Sequence, residues 1–414
     1  MIDFVIYKAH IADRGELADV LINEGKIIEI RNPGSLVEAK DSLDAKGALL
    51  SSGFVDSHTH LDTTNIMPSD EFTTLSMAIK EYSNYVKTFT PDELASDITK
   101  RARETLRMAV VAGTTSIRTH ISVDTKNGLR SVEALNELRN EMRPFIDIHI
   151  TAYPIFHGDP NEQQKRFDLL DTLAGARLID AIGGAAHLYD DRVQFTHKLF
   201  KAAVKNDIDV DLHIDEHDDP NIDTFLETAR ITLKYNYEGR VSCSHVTALS
   251  RVEDNVASKA IAMAKESQLS IITLPSCNLY LMSREDHQPI PRGVTRIREF
   301  LEAGVNITYA SDNIRDFFRP IGNADMLEEG LLTAQVAQML SDSKLQTIHK
   351  MGTTNAAHAM RLWNYGLGVG KQADLVLLDA PDIPSAYRDQ ATRLAVIKNG
   401  HIVAKSERTS YVSF

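Results

Sequence analysis

Eight short runs of apolar and β-branched residues recur along the chain, and longer helical patterns separate most of them. Strands that alternate with helices in this way are typical of βα units. Eight units predict a closed (β/α)₈ TIM-like barrel of the α/β class, with an open doubly wound sheet as the alternative. We favour the barrel because polar residues recur at the C-terminal ends of the strands. The eight runs cover 49–58, 114–121, 145–153, 178–187, 207–215, 240–246, 269–275 and 305–312.

The two ends of the chain have a different pattern. Residues 1–50 and 366–414 contain short alternating strands joined by tight Glu-Gly and Asn-Gly turns. Both ends repeat the same order, in which an apolar strand is followed by Gly-Lys or Gly-His and by another apolar strand. We therefore predict one small β-sandwich domain formed by both termini, with the barrel occupying residues 51–365.

Charge and cysteine content limit the partners of this chain. Its 58 acidic and 45 basic side chains give a formal net charge of -13, which repels phosphate backbones, so we expect no nucleic-acid partner. We also expect no membrane association, because no stretch of the sequence is apolar enough to span a bilayer. The two cysteines lack CxxC spacing, which excludes a disulfide framework and favours a cytoplasmic location. We expect the chain to form a homo-oligomer.

Potential metal ligands stand at the ends of four predicted strands. His58 and His60 lie two residues apart in "GFVDSHTHLD", on the same face of a strand, so both imidazoles can reach one metal ion. His213, His245 and Asp312 close the fifth, sixth and eighth runs. Each alone is explained by a hydrogen-bonded histidine or a helix-capping aspartate. Together they converge on one mouth of the barrel and predict a metal site there.

This arrangement resembles the amidohydrolase superfamily, in which an HxH motif is followed by His, His and Asp on strands five, six and eight. The resemblance covers essentially the whole chain. The segments "HIDE", "SHVTAL", "RGVTRIREFLEAG" and "SDNIRDFFRPIGNADML" are similar to the cytosine deaminase branch. The last segment is also similar to the isopropylammelide amidohydrolases. The resemblance implies an enzyme that hydrolyses non-peptide C–N bonds in a small heterocyclic substrate.

The resemblance also implies which residues bind the metal, namely His58, His60, His213 and Asp312. Members with two metal ions usually bridge them through a lysine on strand four, but here that strand reads "LIDAIGGAAH" and contains no lysine. We therefore expect one divalent metal ion per chain. Nitrogen and carboxylate ligands suit both zinc and iron and do not distinguish between them.

Hydrolytic deamination needs a metal that lowers the pKa of bound water to supply hydroxide, an acid that protonates the ring nitrogen, and a base for the water's proton. The resemblance assigns the proton shuttle to Glu216, three residues after His213. It assigns to His245 an assisting role in polarising the water or stabilising charge. Asp312 can bind the metal and also accept a proton. We therefore predict Glu216, His245 and Asp312 as catalytic residues, although Glu216 taken alone would be a solvated loop acid.

The substrate-binding positions depart from the cytosine deaminase pattern. Those enzymes carry Phe-Pro-Gln after strand three, where this chain has Ile155, and a substrate edge left unpaired there costs about 1–3 kcal/mol. Asn313 replaces a second aspartate, and Phe318 replaces a tryptophan but can still stack on a flat ring. These departures argue against cytosine itself. Further predicted pocket or rim residues are His120, His187, Phe156, His157 and Arg284, with ordinary rim histidines as the alternative for the first two.

We predict a metal-dependent deaminase that releases ammonia from an amino-substituted N-heterocycle, such as a cytosine-like pyrimidine or a purine. Isopropylammelide amidohydrolases tend to lack the HxDE glutamate that this chain keeps as Glu216, which favours loss of ammonia over loss of an alkylamine. The alternatives are a hydrolase that removes an alkylamine from an aminotriazine or opens a cyclic amide, and a non-catalytic barrel that only binds. A non-catalytic barrel should have lost metal ligands, and this sequence retains all of them.

Overall fold

The computed structural model describes residues 1–12, 14–34, 36–68, 74–154 and 160–413. Its strands are β1 (Ile2–Ile11), β2 (Leu17–Asn23), β3 (Lys26–Arg31), β4 (Ala39–Asp44), β5 (Leu49–Ser52), β6 (Phe54–Thr59), β7 (Thr114–Val123), β8 (Asp147–Pro154), β9 (Ala181–Gly184), β10 (Asp209–Ile214), β11 (Val241–His245), β12 (Ser270–Thr273), β13 (Asn306–Tyr309), β14 (Leu375–Leu378), β15 (Arg393–Lys398) and β16 (His401–Ala404).

The α-helices are α1 (Leu75–Lys87), α2 (Pro91–Val111), α3 (Arg130–Met142), α4 (Pro160–Gly175), α5 (Arg192–Asn206), α6 (Asp223–Lys234), α7 (Asp254–Glu266), α8 (Pro275–Leu281), α9 (Ile297–Glu302), α10 (Met326–Val336), α11 (Asp342–Met351), α12 (Thr354–Ala359) and α13 (Ile383–Asp389). Two 3₁₀ turns cover Ala186–Leu188 and Thr247–Arg251. Among the described helices, none combines the length and the apolar character that crossing a bilayer requires.

Strands β6 to β13 form a parallel sheet whose spatial order is the order of the chain. The sheet curls until its two edges meet at the mouth. There the Asp312 N–H donates to the His58 carbonyl oxygen at 2.9 Å, and the His60 N–H donates to the Asp312 carbonyl oxygen at 3.2 Å. Apolar side chains of the strands and of the helices between them share one continuous core. The predicted (β/α)₈ barrel is confirmed, and the open-sheet alternative is wrong.

All eight predicted runs contain a barrel strand, but the first run is divided between two sheets. Leu49–Ser52 joins the terminal sheet as β5, and Phe54–Thr59 begins the barrel as β6. Gly53 separates them in a crowded position, where an added Cβ would lie 2.3 Å from the Thr115 side chain. Glycine is therefore required at the point where the chain passes from one sheet to the other.

The remaining strands form a second sheet from both ends of the chain, as the alternating terminal segments predicted. Its order is β16-β15-β14-β5-β1-β2-β3, and β4 also pairs with β1. The N-terminal and C-terminal parts meet where β5 pairs antiparallel with β14. Apolar residues of these strands enclose a core separate from that of the barrel.

A buried lysine forms ion pairs between the terminal sheet and the barrel. The Lys398 ammonium group on β15 donates to Asp374 at 2.7 Å and to Asp147 at the start of β8 at 2.6 Å. The Lys398 side chain is fully buried. Breaking a buried pair leaves an uncompensated charge, so these contacts strongly favour one docking of the terminal sheet on the barrel.

Candidate active site

The four predicted metal ligands meet at the mouth of the barrel. The distance from His60 Nε2 to His213 Nε2 is 3.1 Å, and Asp312 Oδ1 lies 3.5 Å from Nε2 of both His58 and His60. Two overlapping sets of three histidines each place one ring nitrogen per residue within 4.8 Å of the others; they are His58, His60, His120 and His58, His213, His245. The strand order brings together residues that are up to 254 positions apart in the sequence.

These residues fit a divalent metal ion. Ligand atoms at about 2.05 Å from a tetrahedral ion are separated by about 3.3 Å, and the observed separations are 3.1 and 3.5 Å. Both ring nitrogens of His58 and both carboxylate oxygens of Asp312 are buried, and neither pair has a hydrogen-bond partner in the described part of the chain. Buried polar atoms are rarely left unpaired, so a cation at this centre accounts for all of them.

The backbone turns sharply at two of these residues. His245 has φ 67° and Asp312 has φ 58°, both in the left-handed region that residues other than glycine seldom occupy. Such conformations cost about 1–3 kcal/mol and persist where the surroundings hold them. At Asp312 the holding contacts are the hydrogen bonds of its N–H and C=O to β6 and His60, which keep its carboxylate beside the ligand histidines.

Burial sets the protonation states of the centre. Burial first, and then the neighbouring imidazoles, hold the pKa well below its usual value for His58, His60, His213 and His245. These histidines are therefore neutral, which is the form that binds metal ions. Burial also raises the pKa of Asp312 to about 7. Burial, followed by the charge of Asp312, raises the pKa of Glu216 well above its usual value.

Glu216 lies at this centre, directly after β10. Its Oε1 is 3.2 Å from His245 Nδ1, and its residue is only 6% exposed. Asn278 on α8 completes the group, with Nδ2 at 3.1 Å from His245 Nδ1 and 3.5 Å from Glu216 Oε1. A buried carboxyl group with a raised pKa can hold a proton near neutral pH and transfer it.

The structure places His120 deeper than a pocket-lining residue. Its ring centroid lies 4.1 Å from that of His58, and it is fully buried inside the barrel. Its Nε2 is 3.3 Å from Asp211 Oδ2, and Arg118 Nε is 2.8 Å from the same oxygen. The buried Arg118–Asp211 ion pair thus lies beside the imidazole on which His58 packs.

A cavity of about 290 Å³ opens from the candidate metal centre towards α1. Its inner wall includes His60, His213, Glu216, His245 and Asp312. Its outer wall is largely apolar and is formed by helices α1 and α2 and by the ends of β7, β8 and β9, with residues that include Leu75, Ile79, Tyr82, Val86, Leu94 and Ile98. This shape suits a flat heterocycle held against the centre, with further volume for a substituent.

The other predicted substrate contacts have different outcomes. His187, Asn313 and Phe318 line the cavity. Both ring nitrogens of His187 are buried without a hydrogen-bond partner in the described residues, and burial lowers its pKa to about 3. Arg284 instead lies over the ring of Tyr280, 4.4 Å from its centroid. Three predicted residues lie outside the described part of the chain, namely Ile155, Phe156 and His157.

Sequence reasoning missed a polar wall of the cavity. The Ser122 hydroxyl donates to the Tyr153 hydroxyl at 3.0 Å, and the Ser122 N–H donates to Asp62 Oδ2 at 3.0 Å. Tyr82 donates to the same Asp62 oxygen at 3.4 Å. The Tyr153 ring stands beside the ligands, with its centroid 5.7 Å from that of His213. Its position at the C-terminal end of the third predicted run, 145–153, was the available signal.

Comparison with known proteins shows the relatives of this chain. The N-isopropylammelide isopropyl amidohydrolase of Pseudomonas sp. (strain ADP) is 32% identical over 98% of both chains. The pterin deaminase of Rhizobium rhizogenes is 30% identical over 94% of this chain and 88% of its own length. The 5-methylcytosine deaminase from Klebsiella pneumoniae, solved with 5-fluorocytosine, superposes with a TM-score of 0.91 over 99% of both chains, at 29% identity.

The family comparison gives the same result. A model described as the amidohydrolase family matches residues 95–404, about three quarters of the chain. The matched part contains His213, His245 and Asp312, while the HxH motif precedes it. With its barrel, its histidine cluster and these relatives, the chain belongs to the amidohydrolase family and is a hydrolase of C–N bonds.

Proposed function

We propose that this protein is a hydrolytic deaminase that uses one divalent metal ion, zinc or iron, to release ammonia from an amino-substituted N-heterocycle. The observation that carries the proposal is Glu216, a buried carboxyl group 3.2 Å from His245 at the metal centre. A carboxyl group there can donate a proton to a ring nitrogen and later return a proton to the leaving amine. A binding protein would have no use for this group.

The chain's own residues supply the proton transfers. A divalent metal ion held by His58, His60, His213 and Asp312 would activate a water molecule for attack on the carbon that carries the amino group. Glu216 donates its proton to the adjacent ring nitrogen as the C–O bond forms. The deprotonated Glu216 and Asp312 then accept the two protons that the attacking oxygen loses. One of these protons passes through Glu216 to the amino nitrogen, the C–N bond breaks and ammonia leaves, and the other restores the protonated Glu216.

A single metal ion is consistent with the interior of strand β9. This strand, Ala181–Gly184, contains no lysine and ends in two glycines. An added Cβ at Gly183 would lie 2.8 Å from the Thr151 side chain and 3.0 Å from the Asp211 carbonyl oxygen. Even one extra carbon is therefore disfavoured at Gly183, so this position has no space for a lysine side chain.

The substrate class follows from the cavity and from the relatives. One curated relative is a pterin deaminase, and one structural relative is a 5-methylcytosine deaminase. Both names describe an amino group on a pyrimidine-type ring. The cavity of about 290 Å³ has an apolar outer wall beyond the metal centre, which supports a ring that carries a substituent or a second ring. We therefore place bicyclic aminoheterocycles and 5-substituted cytosines ahead of cytosine.

Loss of an alkylamine is the second candidate. It is favoured by the 32% identity to an N-isopropylammelide isopropyl amidohydrolase over 98% of the chain. In that case the same proton transfers would release an alkylamine from an aminotriazine. Retention of Glu216 in HxDE makes ammonia the product that we expect.

An ammonia-release screen of the metal-reconstituted protein tests the proposal. The panel contains pterin, 5-methylcytosine, isocytosine, isoguanine, creatinine, cytosine and N-isopropylammelide, and both ammonia and isopropylamine are quantified. We expect ammonia from at least one amino heterocycle, with about one metal ion per chain. Release of isopropylamine alone would establish the second candidate, and no release of either amine would refute both. Light scattering of the same sample tests the expected homo-oligomer.

A further inference from the structure

We propose that Asn278 is a positioning residue that fixes the tautomer of His245 and orients the Glu216 carboxyl group. The inference rests on the proposed function, because it concerns the proton path of that reaction. Asn278 belongs to α8, which follows β12. No site residue on this barrel strand was predicted from the sequence. Asn278 is completely buried.

Three polar groups meet at Asn278. Its Nδ2 is 3.1 Å from His245 Nδ1 and 3.5 Å from Glu216 Oε1, and these two partner atoms are 3.2 Å apart. An amide nitrogen carries two hydrogens, so it can serve both neighbours at once. One N–H donates to His245 Nδ1 and the other to Glu216 Oε1. Histidine and glutamate are thereby held at a fixed distance from each other.

The donated hydrogen determines the tautomer of His245. When Nδ1 accepts a hydrogen bond, the proton of the neutral ring resides on Nε2. His245 Nε2 is buried and has no hydrogen-bond partner among the described residues, and it lies in the histidine cluster. His245 then presents an N–H donor to the reacting atoms instead of a lone pair to the metal ion. This separates its role from that of His213, with which it shares the cluster.

The orientation of the amide determines which groups receive its hydrogens. Rotating the amide by half a turn would place Asn278 Oδ1 where Nδ2 now lies, 3.5 Å from Glu216 Oε1. His245 Nδ1 and Glu216 Oε1 would then face an acceptor and would lose both N–H donors. In its present orientation Asn278 donates to both partners, which neither aspartate nor alanine can do.

Two substitutions test the assignment. Asn278→Asp keeps the shape but removes both N–H donors, and Asn278→Ala removes the group entirely. We expect both to lower kcat by about 10- to 100-fold, as for other groups that orient residues of a metal site, while KM stays within about threefold and metal content stays unchanged. Asn306→Asp is the matched control, because Asn306 begins β13 and bonds to Ser270 and Asn355 away from the centre. An unchanged kcat in both Asn278 variants would overturn the proposal.

A spectroscopic measurement separates this inference from the proposed function. In protein labelled with ¹⁵N-histidine, the His245 signals are identified by their loss in His245→Gln. We expect the proton on Nε2 in the natural protein and a shift of the proton to Nδ1 in Asn278→Asp, since a carboxylate there can only accept. A proton on Nδ1 in both proteins would overturn the proposal whether or not any panel substrate is turned over. Absence of turnover with the expected tautomer would overturn only the proposed function.

Discussion

Replacing Glu216 with glutamine tests the proton transfers most directly. Glutamine has nearly the same shape and can still contact His245 Nδ1, which lies 3.2 Å from Glu216 Oε1. It cannot release or accept a proton near neutral pH. The proposed metal ligands are His58, His60, His213 and Asp312, so the substitution should leave metal content unchanged. A loss of activity in Glu216→Gln therefore reports on proton transfer alone.

The expected loss can be worked out from the groups near the centre. A positioned acid or base contributes about 10²- to 10⁴-fold to the rate, which is about 2.7–5.4 kcal/mol of barrier. Asp312 lies 3.5 Å from the Nε2 atoms of His58 and His60 and is itself a proposed metal ligand. It is therefore a poor substitute for Glu216. We expect kcat to fall by about 10³-fold or more, or about 4 kcal/mol.

The assay is ammonia release at saturating substrate, with metal content measured on the same sample. Glu227→Gln is the matched control, because Glu227 lies on α6 and pairs with His197 and Arg230. We expect the control to keep full activity. If Glu216→Gln turned over at the natural rate with its metal ion bound, Glu216 could not be the proton shuttle, and the deaminase mechanism would need another acid.

Three further substitutions test other parts of the structure. Tyr153→Phe removes a hydroxyl from the cavity wall, and kcat/KM for an oxo-substituted heterocycle should fall by about tenfold, or about 1.4 kcal/mol, whereas kcat/KM for a substrate that presents no acceptor there should not fall. His349→Gln tests a buried histidine whose pKa burial lowers to about 4. As the pH falls, the unfolded state binds a proton at this histidine before the folded state does, so the free energy of unfolding of the natural protein should be constant above about pH 6.5 and decline towards pH 4. Urea denaturation should show that the variant avoids up to about 3 kcal/mol of this decline near pH 4. Lys398→Ala removes the cation that pairs with Asp374 and leaves the Asp374 charge uncompensated between the two sheets, so the free energy of unfolding should fall by about 3–5 kcal/mol in the same assay; a change below 1 kcal/mol would show that the pair does not hold the sheets together.

The barrel could be predicted because its strands are short, apolar and regularly spaced. The pattern did not show that residues 49–58 belong to two sheets, since an unbroken run looks the same whether one or two strands use it. Only Gly53 marks the division, and its meaning depends on Thr115, which contacts it in space. Hydrophobic periodicity indicates that a strand is buried, but it does not indicate to which sheet the strand belongs.

The meeting of the proposed metal ligands at one mouth could be predicted for a related reason. Each lies at or just beyond the C-terminal end of a strand, so the fold alone brings His58, His213 and Asp312 to one mouth. Asn278 does not follow this rule, because it lies in the first turns of α8, where an asparagine is ordinarily structural. Its contacts with Glu216 and His245 join positions 62 and 33 residues away. No local pattern encodes such a meeting.

The contacts of Asn313 indicate that the Tyr153 wall of the cavity contributes more to substrate selection than the Asn313 wall does. Its Nδ2 donates to Asp316 at 2.7 Å and to Thr63 at 3.4 Å, and its Oδ1 lies 3.6 Å from the Cys277 thiol. The amide is thus saturated by protein groups and has little capacity left for a substrate. The opposite wall retains capacity. Since Ser122 donates to the Tyr153 hydroxyl, the Tyr153 proton is available for an acceptor on the substrate.

This difference between the Asn313 wall and the Tyr153 wall predicts which substrates are preferred. A ring that presents an oxo group or a bare nitrogen towards Tyr153 gains a hydrogen bond there. A ring that presents only N–H or C–H on that side leaves the hydroxyl unpaired, at a cost of about 1–3 kcal/mol. Oxo-substituted rings such as pterin and isocytosine should therefore be preferred over aminotriazines without an oxo group. In Tyr153→Phe the preference should disappear, because a phenyl ring makes no distinction between an acceptor and a donor.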